Sequence, residues 1–173
     1  MKRREMIKLT AGAVAAAPLV KIQAPAAPQA AAPRFFTPEE FALLDELTEL
    51  IIPTDDHSPG ARAAEVAAYI DARLAESFED EPRQTWRAGL KLIDEISGEM
   101  HRQPFMRATP AQRVALLTRI SRNEAKPEKP EEHFFGELKA RTARAYYTSR
   151  IGIRVEMEYK GNTYLKEYVG ELE

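Results

Sequence analysis

The chain has 173 residues, with 25 Lys and Arg against 27 Asp and Glu, a formal net charge of −2 and no cysteine. The missing cysteine excludes disulfides, Cys-x-x-Cys-His haem attachment, thiolate-held clusters and thiol nucleophiles. The acidic balance lacks the basic footprint that nucleic-acid binding requires.

The first segment reads as an address rather than a fold. Residues 1–26 carry a charged start (Lys2, Arg3, Arg4), an apolar run from Leu9 to Val20, and small residues at Ala24 and Ala26. This is the order of a signal peptide, and the run is too short to span roughly 30 Å of hydrocarbon. "RREMIK" sets Arg3, Arg4 and Lys8 in the pattern of a twin-arginine export signal, and its Ala-, Gly- and Thr-diluted apolar run agrees. Cleavage after Ala26 leaves residues 27–34 as a disordered Ala/Pro leader. The excised segment holds five basic groups and one acid, so the remainder keeps 20 basic and 26 acidic groups, a net of −6. Residues 35–173 are expected to form one domain, long enough for a core of its own.

That domain reads as all-α, with about five helices. Thr37, Pro38 and Glu40 form a capping box with proline at the first helical position. Phe41, Leu44, Leu47 and Ile51 mark one face, and Pro53 stops the helix. A second helix is expected from about Ala61, with Val66, Ile70, Leu74 and Phe78 inward. A third is opened by Pro82 and lined by Trp86, Leu90, Ile93 and Met100. Thr109, Pro110 and Gln112 repeat the capping signature before a fourth helix with Val114, Leu117 and Ile120 inward. "NEAKPEKPEE" is a charged, proline-punctuated loop. The fifth helix runs from about Glu131 to Tyr147, with Phe135, Leu138 and Ala145 inward. The tail that follows reads as irregular, with a short hairpin around Gly161-Asn162.

Little in the chain promises chemistry. There is no Gly-x-Gly-x-x-Gly, no P-loop and no serine elbow. His57, His101 and His133 lie far apart in sequence. The densest group of potential ligands is "IIPTDDHSPGA", Ile51 to Ala61. One reading is a metal site at Asp55, Asp56 and His57. The other is a stiff corner. Pro53 ends the helix, Asp55, Asp56 and Ser58 bond to nearby backbone N–H groups, and Pro59-Gly60 turns the chain into the next helix. The corner accounts for more of the residues. "RTARAYYTSRIGIR" supports either a protein interface rich in Arg and Tyr, or a helix that exposes Arg and buries one Tyr.

Three segments taken together, the twin-arginine leader, "FFTPEEFALLDELTELIIPTDDHSPGARAAEVAAYID" and "YYTSRIGIRVEMEYKGNTYL", resemble the gluconate 2-dehydrogenase subunit 3 family over residues 35–168. The resemblance implies an accessory subunit with no redox centre. Its partners would be a large FAD-dependent flavoprotein of the glucose-methanol-choline type and a multihaem c-type cytochrome. It would escort the flavoprotein through the twin-arginine translocase to the periplasm and stabilise it there. Members of the family often carry a cysteine near the C-terminus. This chain has none, so docking is expected to be non-covalent, through the exposed side of the first two helices and the C-terminal segment at Gly152, Tyr159, Gly161, Asn162 and Tyr164; the other reading of that segment is that it merely closes the small domain. The alternative is a free-standing exported helical module that binds a small ligand or metal.

Overall fold

The computed structural model describes residues 32–161, and all regular structure among them is helical. Five α-helices follow in order: α1 (Pro38–Ile51), α2 (Val66–Ala75), α3 (Asp80–His101), α4 (Pro110–Ile120) and α5 (Pro130–Tyr147). A 3₁₀ turn at Phe105–Arg107 separates α3 from α4, and a π-helical turn at Gly152–Glu156 follows α5. The signal sequence and leader lie outside the described residues, apart from 32–34.

Both predicted capping boxes are present. Thr37 Oγ1 accepts from the Glu40 N–H while Glu40 accepts from the Thr37 N–H. Thr109 and Gln112 do the same for α4. Each box satisfies two of the donors that a helix start leaves without a partner.

α5 packs against each of the other four helices. Its Leu138 and Tyr146 meet a core that includes Leu44, Leu47, Val66, Ile70, Trp86, Leu90, Ile93 and Leu116, none more than 3% exposed. Trp86 is in the core, edge-on to Phe134 at 5.7 Å between ring centroids. The approach of α3 to α5 is set by Gly89, because a Cβ there would enter the Phe134 ring.

Several sequence expectations need correction. α2 starts at Val66 rather than near Ala61, because Glu65 sits in the left-handed region (φ 56°) and breaks the helical path. α3 starts two residues before Pro82. Proline is tolerated within the first turn because its missing N–H is among those with no intrahelical partner. Phe78 continues the four-residue spacing of α2, but the helix ends at Ala75 and Phe78 is 104% exposed. On α4 the buried face is Leu116, Leu117 and Ile120, while Val114 is half exposed. The irregular segment after α5 begins as the π-helical turn. The expected hairpin falls on Gly161, the last described residue, and on Asn162 beyond it.

The domain's first described residues are strapped down by one carboxylate. Asp71 on α2, 3% exposed, accepts three successive backbone N–H groups: Arg34 at 2.6 Å, Phe35 at 3.0 Å and Phe36 at 2.9 Å. Arg87 stacks on the Phe35 ring, 4.5 Å from its centroid, and donates to the Phe35 carbonyl at 2.8 Å.

Candidate functional site

The corner between α1 and α2 and the segment after α5 come together. α1 ends where Ile52 N–H reaches the Thr48 carbonyl, and Ile52 then leaves the helical region (φ −128°, ψ 84°) ahead of Pro53, which disfavours the helical conformation in the residue before it. The loop closes where the Ala61 N–H donates to the Ile52 carbonyl at 2.9 Å. Inside it, Asp55 Oδ1 accepts from the N–H of His57 (2.9 Å) and of Ser58 (2.8 Å), an Asx turn. These two donors, that of Ser58 first, hold the Asp55 carboxyl below its ordinary range. Asp56 is exposed at the tip. Glu49 clamps both limbs of the loop. Its Oε1 accepts from the N–H and hydroxyl of Thr54, and its Oε2 from the Arg62 N–H at 2.8 Å.

Gly60 is required here by proximity rather than by a positive φ, since Gly161 is the one described glycine with positive φ. A Cβ on Gly60 would lie 2.7 Å from the Ile52 carbonyl oxygen and from Glu49 Oε1. Its N–H donates to Thr54 Oγ1 at 2.8 Å.

The corner is fastened to α5 through a buried hydroxyl pair. Tyr146, 1% exposed, donates to the Pro59 carbonyl at 2.8 Å. That leaves the Ser58 hydroxyl, 2.7 Å away, to donate to the Tyr146 oxygen. Burial raises the Tyr146 pKa, so the phenol stays protonated and keeps donating. Sequence reading missed this pair, and the Glu49 clamp as well. The single signal was the buried-Tyr alternative for "AYY", which Tyr146 fulfils while Tyr147 stays exposed.

Gly152 is buried beneath the end of α5, where a Cβ would run into the Tyr146 carbonyl. It therefore lets the segment fold back rather than offering a contact of its own. The fold-back brings the π-helical turn to the corner, where His57 Nε2 donates to the Glu156 carbonyl at 3.1 Å. Glu158 adopts a left-handed φ of 47°, and the Tyr159 N–H returns to the Ile153 carbonyl. The face produced carries Tyr147, Val155, Met157 and Tyr159, each between 39% and 56% exposed. Arg144, Arg150, Arg154, Glu158 and Lys160 are exposed in the same stretch of chain. Asn162 and Tyr164, also expected at a docking surface, lie outside the described residues, as do Arg3, Arg4 and Lys8.

Among the described residues no group of three or more His, Asp or Glu side chains is placed to hold a metal ion. Asp55 and His57 are instead committed to the turn and to Glu156.

The His57 contact has a pH consequence. The Glu156 carbonyl, and then the carboxylates of Glu156, Glu158 and Asp55, raise the His57 pKa. Whatever the contact contributes is fully present below the unfolded value near ~6.5 and is lost as pH rises through the folded one. An NMR titration of the His57 ring is expected to give a pKa above ~6.5. A lower value would mean that the ring does not sit on Glu156.

The profile of the family described as gluconate 2-dehydrogenase subunit 3 matches residues 38–163. The chain belongs to that family. The match takes in α1, the corner, all five helices and the π-helical turn, so the corner and the C-terminal face both lie within the family domain. No curated protein and no solved structure matches this subunit 3 family member.

Proposed function

We propose that the chain is a non-catalytic, exported subunit of a flavin-dependent dehydrogenase, which escorts and stabilises the large flavoprotein. The observation that carries this is the family match across the whole helical domain. The sequence supports it. A chain without cysteine lacks the Cys-x-x-Cys-His attachment of c-type haem and has no Gly-x-Gly-x-x-Gly flavin fingerprint; in this reading FAD and c-type haem belong to the partner subunits, the flavoprotein and a multihaem cytochrome. The twin-arginine pattern at Arg3, Arg4 and Lys8 suits a cargo that folds around its cofactor before crossing to the periplasm. The segment with Tyr147, Val155, Met157 and Tyr159 is the docking surface in this reading; Asn162 and Tyr164 lie beyond the described residues. Tyr, Met and Arg are the residues enriched in protein interfaces, whereas Lys is depleted. Three of the four exposed cations between residues 144 and 160 are Arg.

Co-expression of the full chain with a glucose-methanol-choline-type flavoprotein from the same genome tests the proposal. Both proteins are expected in the periplasm and in one complex after purification. With Arg3→Lys and Arg4→Lys combined, both are expected to stay in the cytoplasm. Normal periplasmic arrival of the double variant would remove the twin-arginine escort role. A flavoprotein that never co-purifies would remove the subunit role.

A further inference from the structure

One cleft gathers three arginines. Arg34, Arg83 and Arg87 line it together with Phe35, Gln84 and Asp80, around a volume of about 350 Å³. It lies where the strapped N-terminal residues meet the first two turns of α3. Phe35 holds two of the arginines. The guanidinium carbons of Arg83 and Arg87 are 5.3 Å and 4.5 Å from the centroid of its ring. These two cations are four residues apart on one helix, a spacing at which like charges repel. Arg34 is brought to them because Asp71 holds the backbone of residues 34–36. Positive charge from two distant segments is therefore assembled by the fold.

The acids at hand balance this charge poorly. Asp80 is 3.8 Å from Arg83, beyond hydrogen-bond length, and its side chain is 81% exposed. Glu40 is 3.7 Å from Arg87 through Oε2, the same oxygen that accepts the Thr37 N–H. Glu76 bonds Arg34 at 3.0 Å but is shared with Arg73 at 3.2 Å. Glu79 and Glu81 flank Asp80 in the chain and do not line the cleft. Arg87 donates to the Phe35 carbonyl at 2.8 Å. Arg83 decides the matter. Its Nε is buried and has no hydrogen-bond partner among the described residues. A cation withdrawn from water in this way calls for a counter-charge at the edge it keeps open.

We infer that this cleft binds a phosphate-type dianion, either inorganic phosphate or a soluble phosphomonoester. The residues that line it carry three positive charges and one negative, so a dianion balances them and a single carboxylate does not. A phosphodiester, as in most lipid headgroups, also carries one charge and matches the cleft less well. Guanidinium groups present paired N–H donors at the spacing of phosphate oxygens, and the Gln84 amide adds neutral donors. A dianion seated there would tie Arg34, on the strap, to Arg83 and Arg87, on α3. Binding would then stabilise the fold by mass action.

The test titrates inorganic phosphate into the purified full chain by calorimetry, at constant ionic strength with chloride as the balancing anion. Saturable binding at one site is expected. Arg83→Ala is expected to weaken it by about tenfold, the scale of one hydrogen bond to a charged group, with circular dichroism unchanged. Arg34→Gln removes a second cation from an exposed position and is expected to weaken binding similarly, so the result does not depend on one variant folding. Arg141→Gln, which does not line the cleft, is expected to bind as the wild type does. Phosphate also raises melting midpoints without binding, by exclusion from the surface, so the informative quantity is the part of the rise that Arg83→Ala loses. Acetate is expected to bind about tenfold more weakly than phosphate. Equal binding of acetate would assign the cleft to a carboxylate and overturn the phosphate reading. Absence of saturable phosphate binding, or binding that both Arg83→Ala and Arg34→Gln retain in full, would overturn the site itself.

Discussion

Asp71→Ala is expected to destabilise the domain by about 3 kcal/mol. One carboxylate accepts three backbone N–H groups, and a hydrogen bond to a charged group contributes roughly 1.5–3 kcal/mol. The full sum is not expected, because residues 34–36 can swing into water and rehydrate their donors. That release has its own cost. Phe36, 4% exposed, would leave the core, and Phe35 would lose its stack on Arg87. Asp71→Asn should fall between wild type and alanine. Its carbonyl can still accept from Phe35 and Phe36, both now bonded to Oδ1, but its amide nitrogen would face the Arg34 N–H, now bonded to Oδ2. Urea unfolding at constant m-value is the measurement. A shift of the alanine variant below about 0.5 kcal/mol, the range of an ordinary surface change, would mean that the strap is not docked in solution.

Gly60→Val is expected to cost a similar amount, about 3 kcal/mol, at the upper end for overpacking. The atoms in the way are the Ile52 carbonyl and the Thr54 N–H, together with Glu49. Both backbone groups are already bonded, Ile52 to the Ala61 N–H and Thr54 to Glu49, so neither can move without breaking the loop closure. Gly60→Ala should show most of the same loss, because the Cβ alone makes the clash. His57→Ala should leave the melting midpoint almost where it is, since the side chain is exposed and its partner is a surface turn. Equal midpoints for Gly60→Val and wild type would show that the corner is looser than its hydrogen bonds imply. A midpoint drop on adding a chelator, abolished by His57→Ala, would revive the metal reading of Asp55, Asp56 and His57.

What could be read in the sequence was local. The capping boxes at Thr37 and Thr109 need a side chain to reach three residues, and both are present. The Asx turn at Asp55 spans the same distance. Trp86 in the core and the stop at Pro53 follow from periodicity and from proline geometry. The errors came where periodicity was extended past a helix end, as at Phe78, or where a neighbouring helix decides which face is inside. Val114 and Leu116 are both apolar on α4, but the face toward α3 and α5 takes Leu116. The contacts that bind distant segments were not legible. Ser58 meets Tyr146 across 88 residues, and Asp71 meets Phe36 across 35. Asp71 did leave a trace, since an acid fell in phase with the apolar stripe of Ala67, Ile70 and Leu74. A charge on a buried stripe needs a partner, but the sequence does not say that the partner is main chain.

The central place of α5 governs when the domain can be completed during synthesis. α1, α2, α3 and α4 all pack on a helix that begins at Pro130. Until that helix has left the ribosome, Trp86 has no Phe134 to pack against and the corner has no Tyr146 to fasten it. Nascent chains ending before residue 130 therefore expose apolar surface that α5 covers once it has emerged. Such intermediates are the ones that aggregate or recruit chaperones. Core closure waits on the emergence of one helix, α5.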